Sequence, residues 1–317
     1  MNNKFLKKNV FFVSLKKKCR LDIILKKNFC KYSRSKLKHF VLNEKVFVDG
    51  KICKKPSKRI NFSIIIFIEN FFKKKNFLPE NIFLNFVYID RDISIIDKEK
   101  GIVMHPGNGN ATGTILNAIL YHFKESKNIP RAGIVHRLDK DTTGLFIIAR
   151  NFLSYSKLLT LIKKRKIIRE YEAIVEGNIL CDGVISKPIK RHSFFRTKMC
   201  VNKFGKKSIT YYKVIKRFSN CTHVRIRLKT GRTHQIRVHF LYINHPIVGD
   251  KKYFDNRNIH FIEERCINYI KKFSRQALHS VMLKLNHPVN NKSLEFYSNV
   301  PKDMKKLIKF LQNNSKK

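Results

Sequence analysis

Ile134-Val135-His136-Arg137-Leu138-Asp139-Lys140-Asp141-Thr142-Thr143-Gly144-Leu145 runs from apolar to polar and back to apolar within twelve residues. The pattern predicts a strand, a polar turn and a second strand. Such a turn sets one carboxylate, Asp139, and one guanidinium, Arg137, at the floor of a cleft. An aspartate there works as a base or a nucleophile only if it stays ionised while shielded from water. That requires a cation beside it. A turn aspartate that merely accepts backbone N–H groups is the commoner arrangement, and the residues alone leave both open. A kinase catalytic loop would read His-Arg-Asp-Leu; here Asp and Leu are exchanged and no Asp-Phe-Gly follows.

Outward from this stretch the chain alternates short strands and helices. Tyr88 to Asp97 and Gly144 to Arg150 are β-like, and Ser154 to Lys164 is helix-like, with Tyr155, Leu158, Leu159 and Ile162 on one face. Tyr171, Ala173 and Val175 alternate with Glu170, Glu172 and Glu176, which predicts a half-buried strand. Val224, Ile226 and Leu228 alternate with Arg225 and Arg227 in the same way. Met304, Leu307, Ile308 and Leu311 predict a packed C-terminal helix. The class is α+β, without the regular β-α-β alternation of doubly wound folds. A second polar cluster, Lys229-Thr230-Gly231-Arg232-Thr233-His234-Gln235-Ile236-Arg237-Val238-His239, continues as a strand or starts a helix; periodicity fits either. Its density of polar groups beside apolar strands suggests a buried network, and a basic patch facing solvent or RNA is the plainer alternative.

The 317 residues include 68 Lys+Arg against 22 Asp+Glu, a formal charge of +46. That excess implies a polyanionic partner, nucleic acid or an acidic membrane surface. Part of it fits a coding bias towards Lys, Asn, Ile and Phe, with which the absence of Trp agrees. At 43% hydrophobic the chain is too apolar for a disordered polymer. The longest apolar stretch, Phe62 to Ile68, is far short of the roughly 20 residues a spanning helix needs. The patch Val10 to Leu15 runs into Lys16-Lys17-Lys18 with no small-residue cleavage site, so no signal peptide is expected. Seven dispersed cysteines without a Cys-x-x-Cys pair argue for a reducing compartment, the cytoplasm, and against a zinc finger. No His-Glu-x-x-His and no phosphate-binding Gly-Lys-Ser/Thr loop occurs, and Gly107 to Gly113 has the wrong spacing for a dinucleotide loop and predicts a turn.

Residues 1–80 carry 22 Lys+Arg and 5 Asp+Glu, a denser charge than the remainder. Leu21, Ile24 and Leu25 recur at helical spacing, and Ser33 can cap a second helix with Leu37, Phe40 and Val41 on its apolar face. Its other face carries Arg34, Lys36 and Lys38. Asp49-Gly50 between Val46-Phe47-Val48 and Lys51-Ile52 is a hairpin signal. A basic helix face followed by a tight hairpin can grip a phosphate backbone, although most basic stripes are simply solvated.

The two polar clusters together resemble the RluA branch of pseudouridine synthases. The resemblance rests on His-Arg-Leu-Asp-x-x-Thr-Thr-Gly at 136–144, Arg169-Glu170-Tyr171-Glu172-Ala173, Gly-Arg-Thr-His-Gln-Ile-Arg-Val-His at 231–239, His245-Pro246-Ile247-Val248-Gly249-Asp250 and Arg275-Gln276-Ala277-Leu278-His279. Arg20-Leu21-Asp22, Tyr32-Ser33-Arg34-Ser35 and Val48-Asp49-Gly50-Lys51 resemble the small RNA-binding domain named after ribosomal protein S-four. The combination is similar to the members that act on large-subunit ribosomal RNA, and covers about residues 18–312. Where that family usually has Asn-Lys-Pro, this chain has Asp97-Lys98-Glu99, without the proline.

The resemblance implies an isomerase that converts uridine to pseudouridine after flipping it from a stem-loop at the subunit interface. It implies Asp139 as the catalytic nucleophile, Tyr171 packed on the target base and taking its ring proton, and Arg232 as the ion-pair partner of Asp139. Arg137 would help displace the target nucleotide. Arg34, Lys36, Lys38 and Lys51 would hold RNA from the N-terminal domain. The reaction needs no cofactor and no metal. The expected organisation is a basic extension over 1–17, an S-four-like domain over 18–75, a linker over 76–82 and a catalytic domain over 83–317. This domain is built on a mixed, mainly antiparallel sheet with flanking helices. The expected partner is large-subunit ribosomal RNA or an assembling large subunit, bound by a monomer without a membrane. Two other classes fit the charge: an assembly factor that keeps the fold without catalysis, and a peripheral membrane protein. The first leaves the joint presence of Asp139, Tyr171, Arg137 and Arg232 unaccounted for; the second needs an amphipathic anchor, to which residues 303–317 come nearest.

Overall fold

The computed structural model describes residues 7–29, 32–69, 77–107, 109–253, 269–270 and 272–315. The chain forms two compact units, residues 1–76 and 77–317. In the first, β1 (Lys7–Arg20) leads into α1 (Leu21–Asn28) and α2 (Arg34–Leu42), followed by β2 (Val46–Val48), β3 (Lys51–Ile52) and β4 (Arg59–Glu69). The antiparallel sheet order is β1-β4-β2-β3. Leu21 and Leu25 of α1, Leu37 and Val41 of α2, and Val46 and Ile65 of the sheet are fully buried in one core. At roughly 1.5–3 kcal/mol for each large apolar side chain, this core holds both helices on the sheet. The Ser33 hydroxyl caps α2 by accepting from the Lys36 N–H. Asp49 and Gly50 both take positive φ, 51° and 76°, as a two-residue hairpin turn requires.

The first unit departs from the sequence reading in two ways. Residues 7–17 are not an appended extension. Residues 7–14 pair with 62–69 of β4, and the apolar run from Val10 buries Val13 in the core between the sheet and the helices. Arg34 is not simply a solvated cation either. Together with Arg20 it closes on the buried Asp22 carboxylate, Nη2 to Oδ2 at 2.8 Å. Burial alone would raise the Asp22 pKa; hydrogen bonds from both arginines outweigh it and hold the carboxyl below its ordinary value. Asn76 of the expected linker, and 70–75 at the end of the expected first domain, lie outside the described residues.

The second unit contains β5 (Asn85–Ile89), β6 (Ile93–Lys98), α3 (Ile115–His122), β7 (Thr143–Ala149), α4 (Phe152–Lys163), β8 (Ile168–Glu176), β9 (Gly183–Ser186), β10 (Ile189–Arg191), β11 (Met199–Val201), β12 (Ile209–Arg217), β13 (Cys221–Leu228), α5 (Gln235–Tyr242), β14 (Leu278–Asn286), β15 (Ser293–Tyr297) and α6 (Lys302–Asn313). Its main sheet runs β5-β6-β7-β14-β8-β13-β12-β9, with β15 also on β14. Among the described strands only β7 and β14 pair in parallel; β10 and β11 form a separate hairpin. The α+β class and the mainly antiparallel sheet are as the sequence predicts. Residues 77–82 are part of this unit rather than a free tether: the Asn117 amide donates to the Leu78 carbonyl, and Phe77 and Ile82 pack on the core.

Three elements sharpen the sequence reading. Tyr88 to Asp97 is a hairpin rather than one run, turned by Asp90, whose Oδ1 accepts from the N–H groups of Asp92 and Ile93. Strand β8 is buried on both faces from Tyr171 onward, not on one. Its acidic face is tolerated because Glu172 meets His223 at 3.0 Å and Arg225 at 2.9 Å. The polar cluster from 229 becomes a helix, entered through His234 in the left-handed region at φ 54°.

Candidate functional site

The Asp139 turn hangs between an isolated bridge, Ile134 to Ile148, and the start of β7. Several side chains brace it from behind. The Thr142 N–H donates to the Asp139 carbonyl, the Gln276 amide donates to the Thr142 hydroxyl, and Arg275 donates to the Asp141 carbonyl. Thr143 Oγ1 lies 2.9 Å from His279 Nδ1. Gly144, at φ 103°, lets β7 approach β14 so closely that a Cβ there would sit 2.2 Å from the Ser280 carbonyl oxygen. Lys98 is buried under the same turn and donates to the carbonyls of Glu99 and Lys140. Burial lowers its pKa to about 8, against the pull of Asp141 and Asp139. The departure at 97–99 therefore leaves the lysine in place and in use.

The turn opens on a cavity of about 740 Å³. Asp139 is its sole carboxylate among the described lining residues, set against Arg131, Arg137, Lys163, Arg165, Arg169, Lys229, Arg232 and Arg237. A polyanion fits that field. Tyr171 lines the same space from β8, almost fully buried. Burial pushes its hydroxyl pKa up, and Arg169 and a hydrogen bond with Ser280 pull the other way. Arg137 stands exposed at the mouth of the turn.

The cation beside Asp139 is Arg237, not Arg232. Arg237 Nη1 donates to Asp139 Oδ2 at 2.8 Å, while its Nε and Nη2 close on Asp250 at 2.6 and 2.7 Å. Arg232 is exposed on the loop before α5, and its Nη2 reaches the Lys207 carbonyl at 3.4 Å. The reason is helical geometry: residues three apart share a face, so α5 brings Arg237 round to the side of His234, while Arg232 precedes the helix. The helical alternative for 229–239 carried this signal, and the strand alternative hid it.

Three imidazoles in the cavity wall are held neutral. Burial, then nearby arginines, lowers the pKa of His105 to about 4 and of His136 to about 3. His136 Nε2 accepts from the Ile147 N–H. Burial also lowers His234 to about 4, against the pull of Asp139. His234 Nε2 stands 3.9 Å from Asp139 Oδ1, a group the sequence reading did not single out.

The expected RNA-binding residues of the first unit are all exposed. Arg34, Lys36 and Lys38 lie on α2 and Lys51 on β3, with Lys36 Nζ 4.5 Å from the Tyr32 ring centre. Asp90, Asp92 and His287 bring metal-ligand types together. However, His287 Nδ1 accepts from the N–H groups of Val289 and Asn290, so the proton sits on Nε2, which faces Asp90 at 3.0 Å. Asp90 Oδ1 and His287 Nδ1 are thus taken up by backbone N–H groups of their own turns.

Comparison with known proteins bears on this arrangement. A family profile described as RNA pseudouridylate synthase matches residues 92–242, which include Asp139, Tyr171 and Arg237, and an S4 domain profile matches residues 19–63. The ribosomal large subunit pseudouridine synthase D of Buchnera aphidicola subsp. Acyrthosiphon pisum is 50% identical over 291 residues, 91% of this chain and 93% of that one. The protein of the same name from Escherichia coli K12 is 43% identical over 298 residues, 92% of this chain and 90% of that one. Among solved structures, human RNA pseudouridylate synthase domain containing 4 aligns with a TM-score of 0.58 and 21% identity, over 72% of this chain and 93% of that one. At that identity the likeness is one of fold.

Proposed function

The chain belongs to the RNA pseudouridylate synthase family, and from that membership we propose that it isomerises uridines of large-subunit ribosomal RNA at Asp139. The name shared by its relatives, synthase D, supports that substrate and the D-type specificity the whole-chain motifs suggest. The observation that carries the site assignment is the single carboxylate of a basic cavity, clamped on one oxygen by Arg237 and faced by Tyr171.

The target uridine leaves its stack before any side chain reaches its glycosidic bond, which costs a few kcal/mol. Arg137, exposed at the mouth, fills the vacated space. Arg237 holds Asp139 through Oδ2, which leaves Oδ1 for the substrate. The C1′–N1 bond breaks with its electron pair passing to uracil. Asp139 stabilises the electron-poor centre, as nucleophile or as counter-charge. The uracil turns, C5 bonds to C1′, the C5 proton leaves and N1 gains one. Tyr171 packs on the ring and is placed to assist that proton transfer. Atoms balance without a cofactor or metal.

Arg34, Lys36, Lys38 and Lys51 would steer phosphate towards the enzyme from the first unit, although Arg34 is also bound to Asp22. The proposed setting is the cytoplasm, with the enzyme acting as a monomer on free or assembling large-subunit RNA. No helix among the described residues is long and apolar enough to cross a membrane.

Carbodiimide mapping of pseudouridine on large-subunit RNA from a strain lacking its own synthase tests the proposal. Stops are expected with the wild-type protein and none with Asp139→Ala at equal binding saturation. Stops from both would sink the role of Asp139. Binding without stops from either would make the chain an RNA-binding factor.

A further inference from the structure

His234 is a non-glycine residue at φ 54°, and although it stands at the N-cap of α5 its side chain caps nothing. A left-handed residue at such a position is uncommon, and here it turns the imidazole into the cavity. The ring is then fixed by a relay. The Met199 N–H donates to the Tyr253 hydroxyl at 2.7 Å, and that hydroxyl lies 2.7 Å from His234 Nδ1. Tyr253 is buried, so its own proton needs an acceptor, and Nδ1 provides it. In the neutral ring the proton therefore sits on Nε2. The relay shares parts with the Asp139 clamp: the Tyr253 N–H donates to Asp250 Oδ1, and the Arg237 guanidinium lies 4.9 Å from the Tyr253 ring centre.

Nε2–H faces Asp139 Oδ1 across 3.9 Å. That is too long for a hydrogen bond between them and the right span for one oxygen about 2.8 Å from each. The two flanking groups are a fixed donor and a carboxylate that only accepts. An oxygen seated between them must accept from one and donate to the other, which a hydroxyl does and a uracil carbonyl does not. We infer that His234 is a specificity-determining residue that, with Asp139 Oδ1, recognises a ribose 2′-hydroxyl of the target nucleotide. The inference rests on the reading of Asp139 as the reaction centre. It makes this pair the point at which RNA is told from DNA.

The test is a cycle of single-turnover rates on a synthetic stem-loop carrying the mapped target as uridine or as 2′-deoxyuridine. Wild type, His234→Ala, His234→Gln and Tyr253→Phe are compared. His234→Ala should lose about tenfold or more on the uridine substrate and little on the deoxy substrate, so that His234 and the 2′-hydroxyl couple. His234→Gln, whose amide offers an N–H near the Nε2 position, should recover part of the loss. Tyr253→Phe should show a smaller loss, again confined to the uridine substrate, and nitrogen-15 spectra should show wild-type His234 as the Nε2–H tautomer. Equal slowing of both substrates by His234→Ala, or an Nδ1–H tautomer, overturns the inference. Because the readout is a ratio within one protein, partial misfolding of a variant does not imitate the expected result. A wild-type protein that forms no pseudouridine in the uridine stem-loop overturns the functional reading and this inference with it.

Discussion

Arg237 and Asp139, 98 positions apart in the chain, meet at 2.8 Å, and the rest of the same guanidinium is closed on Asp250. One planar cation is shared by two carboxylates, so its position is set by Asp250 and its effect is felt by Asp139. Lysine cannot reproduce a fork that serves both. Arg237→Lys should lower single-turnover rate by about 100-fold or more with RNA affinity little changed. Arg237→Ala strands the nearly inaccessible Asp250 carboxylate and should cost roughly 3–5 kcal/mol in denaturant unfolding. Arg232→Ala, by contrast, should leave stability within about 0.5 kcal/mol and show its effect in RNA affinity. Equal loss of rate from Arg232→Ala and Arg237→Lys would mean the clamp is misassigned.

Arg137 sits at the exposed mouth of the turn, where an extruded base would leave a gap. Arg137→Ala should slow reaction on a folded stem-loop far more than on a short single strand carrying the same uridine, since only the first must be unstacked. A difference of about tenfold between the two substrates is the expected size. Equal slowing on both would assign Arg137 to ordinary phosphate contact.

The neutral imidazoles give the second unit a pH dependence of definite sign. An unfolded histidine binds a proton below about 6.5. Folded His136 does so only near 3 and His234 near 4. Between those values the unfolded state holds more protons, so stability is full above about pH 6.5 and falls as pH is lowered towards 4. Each group contributes a slope of up to roughly 1.4 kcal/mol per pH unit. Thermal unfolding at pH 7, 6 and 5 should show a steady fall in Tm, with a shallower fall in His136→Asn. A Tm that rises on acidification would contradict the buried neutral state.

Residues 77–82 belong to the second unit, so where the first unit is cut away matters. A chain starting at 77 should keep its Tm and act on a short stem-loop, with weaker and less salt-dependent RNA binding. A chain starting at 81 loses Phe77, the Leu78 carbonyl that serves Asn117 and the Glu80 carboxylate that accepts from the Gly113 N–H. It should melt several degrees lower. Identical melting of the two truncations would return this segment to the linker.

Local chemistry explains which parts were legible in the sequence. Leu21, Ile24 and Leu25, the Ser33 cap and the Asp49-Gly50 turn each encode their structure within a few residues, and each forms as read. The strand at 7–14 was obscured because its partner β4 lies far along the chain and the lysines around it read as a basic extension. The burial of Glu172 could not be read from β8, because its partners His223 and Arg225 come from β13. The resemblance pointed to Asp139 and Tyr171, which share one cavity, and named Arg232 where the structure has Arg237. That choice depends on whether the chain has turned into a helix by residue 235, and the left-handed His234 that turns it has no periodic signature.

The start of β14 lies between β7, which follows the Asp139 turn, and β8, which carries Tyr171. It is also among the last elements to be synthesised. A growing chain that ends before about residue 280 therefore holds the two halves of its site without the strand that joins them. The pairing joins Thr143 to His279 across 136 positions, the kind of non-local contact that folding chains make slowly. The enzyme is thus assembled only near completion of its own translation, and a chain cut short before β14 would carry RNA-binding surface without a working centre.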